Sequence, residues 1–174
     1  MDALTDALES ASDAEPADPS GEKEGTFLVT HADEDSAVLR DVTSGQVHTL
    51  SSNPGVDAGE AIEGVVAPDP PMNVSWQLVE VESRRSIELV DSDQSPTQNA
   101  LDIAADQDVG ELTRTERAGD GELHVITVPE ADTADAAADV LDDRDTTLSR
   151  AARLGVNRVE VRTAPGVVVV RYLP

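Results

Sequence analysis

Three histidines, His31, His48 and His124, are the side chains of this 174-residue chain best suited to move a proton or to bind a transition metal. Their spacing argues against both uses. They fall in three separate segments and no two stand at i, i+4, the spacing that would put a ligand pair on one helical turn. His48 and His124 alternate with apolar neighbours, which reads as strand positions that are satisfied or at the surface. There is no cysteine, hence no thiolate zinc site, no disulfide framework and no cysteine nucleophile. The acidic pairs Asp33/Asp35, Asp91/Asp93 and Asp106/Asp108 could each hold a cation, but none has the glycine and terminal glutamate of a calcium loop. With 36 acidic residues in the chain, such pairs carry little information. Gly119-Asp120-Gly121 lacks the following helix and the Lys-Ser/Thr pair of a phosphate loop, and no Gly-x-Ser-x-Gly elbow occurs. The sequence therefore assigns no catalytic residue, metal or cofactor, and it points away from an enzyme.

The arginines say more. Positive charge is scarce, at 12 residues of which only Lys23 is a lysine. Arg84 and Arg85 are adjacent, eight and nine positions after the single tryptophan, Trp76. An aromatic ring beside two guanidinium groups is a means of stacking and clamping single-stranded nucleic acid. The competing use is pairing with the surrounding carboxylates. That use is favoured here, because one ring is a poor stacking platform and phosphate affinity falls steeply with salt.

The net charge of -24 and the 2% aromatic content fit either a disordered chain or a protein of molar salt. The 39% apolar residues, many β-branched and in clear runs, decide for a folded core. In molar salt the Debye length shrinks to about 3 Å, so like-charge repulsion costs little and hydrated carboxylates keep the surface soluble. The expectation is a halophilic, cytoplasmic protein. The N-terminus has no basic and apolar signal segment, no apolar run approaches the ~20 residues that span a bilayer, and the acidity disfavours membrane surfaces.

The elements that position these residues follow from periodicity. Residues 1–23 read as a disordered acidic leader, in which Leu4, Leu8 and Ala11 have helical spacing. Residues 24–94 read as a small β-barrel of OB or SH3-like type. Its strands are Thr26–Thr30, Ala37–Val42, Gln46–Leu50 and Ala61–Ala67, then a strand from Val74 with a bulge or bend near Leu78, a turn at Arg84-Arg85, and a last strand Ile87–Val90. Residues 95–174 read as an α+β domain in α-β-β-α-β-β order, a two-layer unit with its helices on one face of an antiparallel sheet. Ser95 and Pro96 start its first helix. The long helix after Pro129 has Asp132 or Thr133 as cap. It breaks near Asp142–Asp145, where Thr146 could cap a second piece, and stops at Gly155. Val156–Arg162 and Gly166–Tyr172 close the chain as a hairpin, with Val167–Val170 apolar on both faces, as in a strand buried on both sides.

The stretches Ser95-Pro-Thr97, Asp108-Val-Gly-Glu-Leu-Thr113, Glu116-Arg-Ala-Gly119, Glu122-Leu-His-Val125 and Arg150-Ala-Ala-Arg-Leu-Gly-Val-Asn-Arg-Val-Glu-Val161 resemble a family of haloarchaeal proteins of unknown function. The resemblance covers nearly the whole chain after the leader and implies no activity. The sequence thus describes a non-catalytic binding or adaptor module whose partner is a protein. An OB-type single-stranded nucleic-acid binder using Trp76, Arg84 and Arg85 is the alternative, and an enzyme of unidentified class comes third.

Overall fold

The computed structural model describes residues 21–117 and 121–174. Most of the acidic leader, and residues 118–120 of the expected turn, lie outside the described residues.

Alternating apolar and polar residues build the first half as expected. β1 (Lys23–Ala32), β2 (Ala37–Asp41) and β3 (Val47–Leu50) form an antiparallel meander. Its turns fall where short side chains bond the backbone. Asp33 Oδ1 accepts from the amides of Asp35 and Ser36, and Asp41 Oδ1 from those of Thr43 and Ser44. β4 (Glu60–Pro68) runs antiparallel to β1, and β5 (Trp76–Ser86) antiparallel to β4. A parallel bridge between Leu50 and Trp76 closes a five-stranded barrel in the order β1-β2-β3-β5-β4. Phe27, Val29, Leu39, Leu50, Ile62 and Val66 fill it.

The bulge expected near Leu78 is present. Val66 faces Leu78 and Val65 faces Glu80, so Val79 is the extra residue; Glu82 is a second one, between the pairs Gly64–Val81 and Glu63–Ser83.

Two expectations for this region are corrected. Arg84 and Arg85 stand inside β5, not at a turn, because β5 stays paired with β4 as far as Ser86. The strand expected to finish the barrel does not belong to it. β6 (Glu88–Asp91) lies at the edge of a second sheet and pairs in parallel with β9 (Arg158–Ala164). Ile87 marks the crossing: it is buried, and its amide donates to Gly59 O at the start of β4. The chain thus passes from barrel to sheet at Ile87, ahead of the boundary at residue 94 expected from the sequence.

The second sheet runs β6-β9-β10-β8-β7, with β7 (Leu112–Glu116), β8 (Glu122–Thr127) and β10 (Val167–Leu173). β10 is central, and Val168, Val169 and Val170 are all buried, each in an apolar cluster with residues from outside the sheet. Helices cover both faces, correcting the two-layer expectation. α1 (Gln98–Ala105) places Ala100 and Ala104 on Leu123, Val125 and Val169. On the opposite face, Ala137 of α2 (Thr133–Asp142) meets Val161 and Val168. α3 (Arg144–Leu154) follows after a break at Asp143 and ends on Gly155, which takes a positive φ of 74°. The cap of α1 is Thr97, not Ser95: its Oγ1 accepts from Ala100 N at 3.3 Å.

Barrel and sheet share a core. Leu28, Val42 and Ala61 of the barrel pack in one cluster with Leu148, Ala151 and Ala152 of α3 and with Val156, Val159, Val170 and Tyr172. No helix among the described residues is long and apolar enough to cross a membrane.

Candidate functional site

Trp76 opens β5 at the point where the barrel closes. Its carbonyl accepts from Ser51 N at 3.0 Å. Its ring is half-buried against the barrel core and meets the His48 ring edge-on, with centroids 4.4 Å apart at 86°. Lys23 Nζ sits 5.9 Å from the indole centroid. His48 is fully buried between Phe27 and Trp76, and neither ring nitrogen has a protein hydrogen-bond partner among the described residues. Burial, and then the nearby Lys23 charge, hold its pKa below the ordinary imidazole value, so the ring is neutral. The tryptophan therefore packs against the barrel core beside His48.

Arg84 and Arg85 lie at the far end of the same strand, on the order of 25 Å away at the rise of an extended chain. The structure does not bring them to Trp76. Arg84 forms a two-pronged pair with Glu60, Nε to Oε2 at 2.7 Å and Nη2 to Oε1 at 2.8 Å, and also donates to Gly55 O. The hydrogen bonds Arg84 donates to Glu60 raise its pKa above the ordinary value. Arg85 Nη2 donates to Ala152 O in the last turn of α3, fastening β5 to that helix.

The remaining titratable clusters tie elements together. Glu160, buried on β9, receives Arg171 Nη1 at 3.3 Å, Arg162 Nη2 at 3.4 Å and Arg158 Nη2 at 3.6 Å. Arg150 of α3 donates to both oxygens of Glu122 at 2.7 and 3.1 Å, and His124 Nε2 lies 3.1 Å from the same carboxylate. Burial works to raise the Glu122 pKa, but the Arg150 and His124 hydrogen bonds outweigh it and leave the carboxylate below its ordinary range. Burial lowers the His124 pKa against the opposing pull of Glu122. A carboxylate-oriented imidazole resembles the core of a general-base pair, yet here the carboxylate is shared with Arg150, which anchors α3 to β8. Among the described residues no group of three or more His, Asp or Glu side chains could hold a metal ion.

The outer side of β5 does not stand out in the sequence. Its inner edge is paired with β4 along its whole length, whereas toward β3 it has only the Leu50–Trp76 bridge. Exposed apolar side chains concentrate on and around this strand: Val79 and Val81 on β5, Met72 and Val74 in the loop that enters it, and Val47 on β3. The signal was in the alternation Val79-Glu80-Val81-Glu82, where the valines could equally have been taken for the inward face.

A family model of a family of unknown function, DUF5812, matches residues 23–163. The chain belongs to that family. No curated protein and no solved structure matches it. The DUF5812 match begins on the first residue of β1 and takes in the barrel, β6, all three helices and most of β9. The match stops before β10, the strand on which that sheet is centred.

Proposed function

We propose that this DUF5812 protein is a non-catalytic binding module that takes a short extended segment of a protein partner along the outer edge of β5. The observation that carries this reading is the edge itself. Between Gln77 and Ser86, β5 has a strand partner on its β4 side only among the described residues, leaving main-chain donors and acceptors for a further strand. Exposed Val79 and Val81 supply apolar contacts beside them. The bulges at Val79 and Glu82 divide the edge into short runs, which limits pairing to a short segment.

The strand order, with β3 and β5 meeting in parallel, supports reading the barrel as OB-type. It favours the second reading, single-stranded nucleic-acid binding. Against that reading, Arg84 is engaged by Glu60 and Arg85 by the Ala152 carbonyl, while β5 also carries Glu80 and Glu82. The net charge of -24 fits a cytoplasmic protein of a halophilic archaeon, where the partner would be met in high salt.

The test is site-specific cross-linking in molar KCl. A photoreactive side chain at position 79 or 81 should capture one protein partner, and the same group at exposed Val109 should not. Val79→Lys with Val81→Lys should abolish capture and the partner-dependent protection of β5 amides from exchange. Labelled single-stranded oligonucleotides should not bind. Micromolar or tighter oligonucleotide binding that is lost in Arg84→Ala/Arg85→Ala, but kept in Arg158→Ala, would overturn this reading in favour of the nucleic-acid one.

A further inference from the structure

At the seam between barrel and sheet lies a polar cavity of about 230 Å³, far from the outer edge of β5 in the chain and built by different elements. One wall is the β2–β3 turn. Asp41 shapes it: its Oδ1 accepts from Thr43 N at 2.8 Å and Ser44 N at 3.0 Å, and Gly45, at φ 79°, donates back to Asp41 O. The other wall is one stripe of α3. Thr146, Ser149 and Arg153 stand at i, i+3 and i+7, so they share a face. Arg40 of β2 completes the lining.

Three features of this cavity bear on what it could hold. Ser149 is 8% exposed, yet its Oγ is buried without a protein hydrogen-bond partner. Leaving a buried hydroxyl unsatisfied is costly. Arg40 and Arg153 both line the cavity, and neither forms an ion pair among the described residues. Arg84, Arg150, Arg158, Arg162 and Arg171, by contrast, each have a carboxylate partner, so the charges of Arg40 and Arg153 are left without a carboxylate partner on the cavity wall. Finally, the one carboxylate in the lining, Asp41, has Oδ1 turned onto the backbone amides of its own turn. Besides the second oxygen of Asp41, the lining offers two guanidinium groups and the hydroxyls of Thr43, Thr146 and Ser149, so positive charge and donors outnumber the one carboxylate. The space equals roughly seven or eight water volumes, enough for a tetrahedral oxyanion with a little water.

We propose that this cavity binds the phosphate group of a small anion, with Arg40 and Arg153 as charge partners and Ser149 Oγ as a buried hydrogen-bond donor. Two guanidinium groups suit a tetrahedral dianion, which accepts paired N–H bonds. An anion held here bridges the β2–β3 turn and α3, so it fastens barrel to sheet and stabilises the fold by mass action. The same chemistry is offered by free inorganic phosphate and by the phosphate of a nucleoside monophosphate.

The full chain in molar KCl is titrated by calorimetry with inorganic phosphate and, separately, with adenosine monophosphate, while the arginine Nε–H resonances are followed by NMR. One saturable site is expected, with shifts at the Arg40 and Arg153 side chains. Arg40→Gln and Arg153→Gln should each weaken it about tenfold or more. Ser149→Ala should weaken it several-fold, and Arg114→Gln, on the exposed edge strand β7, should change nothing. Circular dichroism of each variant separates loss of the site from loss of the fold. Tighter binding of adenosine monophosphate identifies an esterified phosphate as the ligand, and tighter binding of phosphate identifies the free anion. Absence of saturable binding by both, or binding indifferent to Arg40→Gln and Arg153→Gln, overturns the proposal.

Discussion

His48 shows how much a single side chain can hide in a sequence. Alternation placed it in a strand, but the same alternation fits a surface position. Its burial between Phe27 and Trp76 depends on which face of β3 the closed barrel turns inward. The consequence is a pH dependence whose sign is fixed. His48 in the fold has a lowered pKa, through burial first and then Lys23, with Asp41 opposing. His124 has a lowered pKa through burial, with Glu122 opposing and with Arg150 and Arg114 adding to the depression. Both rings take up protons more readily in the unfolded chain, with its pKa of about 6.5. Their contribution to stability is therefore complete above that value and is lost as pH falls toward the folded-state values. The melting temperature should drop between about pH 7 and pH 5, and His48→Phe should drop less over the same interval. A flat profile for the parent would show that the two imidazoles are not kept neutral by the fold. Asp33, Asp69 and Glu122, whose pKa values are lowered, add their loss only at more acid pH.

Elements whose partners are close in sequence were legible; those paired across the chain were not. The meander, the bulge near Leu78, the break at Asp143 and the stop at Gly155 rest on local alternation, turn residues and backbone freedom, which a sequence displays. The placement of β6 was not legible, because a four-residue strand shows no preference between barrel and sheet. Its partner β9 lies about seventy residues further on. The alanine stripes of α1 and α2 look alike, so nothing local told which face of the sheet each would cover. The final strand was readable because a run apolar on both faces requires cover on both sides. At this scale, Val169→Asp would put a carboxylate against Ala100, Leu123 and Val125, at a cost on the order of several kcal/mol. Chemical denaturation should show that loss or no folded protein at all. Gly64 offers a companion: a methyl group there would land on the Glu80 carbonyl oxygen, so Gly64→Ala should destabilise the β4–β5 pair.

For the whole molecule, the decisive quantities are net charge and the shared core. A chain at -24 resists compaction unless its carboxylates are screened. Dialysis from molar to low KCl should therefore lower the melting temperature, followed by circular dichroism. An unchanged value would show that self-repulsion at this net charge does not limit the stability of the fold. The transition should be single, because Leu28, Val42 and Ala61 share one cluster with α3 and the sheet. The candidate sites were legible only in part. Trp76, Arg84 and Arg85 stand out in the sequence, but what occupies the two arginines, Glu60 and the Ala152 carbonyl, is fixed by the folded chain alone.

The barrel's closure has a mechanical corollary. Four of its five seams are ladders of four or more residue pairs, whereas the seam between β3 and β5 is the single Leu50–Trp76 bridge, reinforced by the Ser51 amide on the Trp76 carbonyl. Such a ring has a clasp. Releasing it costs few backbone hydrogen bonds, lets β5 hinge outward on β4, and exposes the neutral imidazole of His48 to water while the rest of the barrel stays intact.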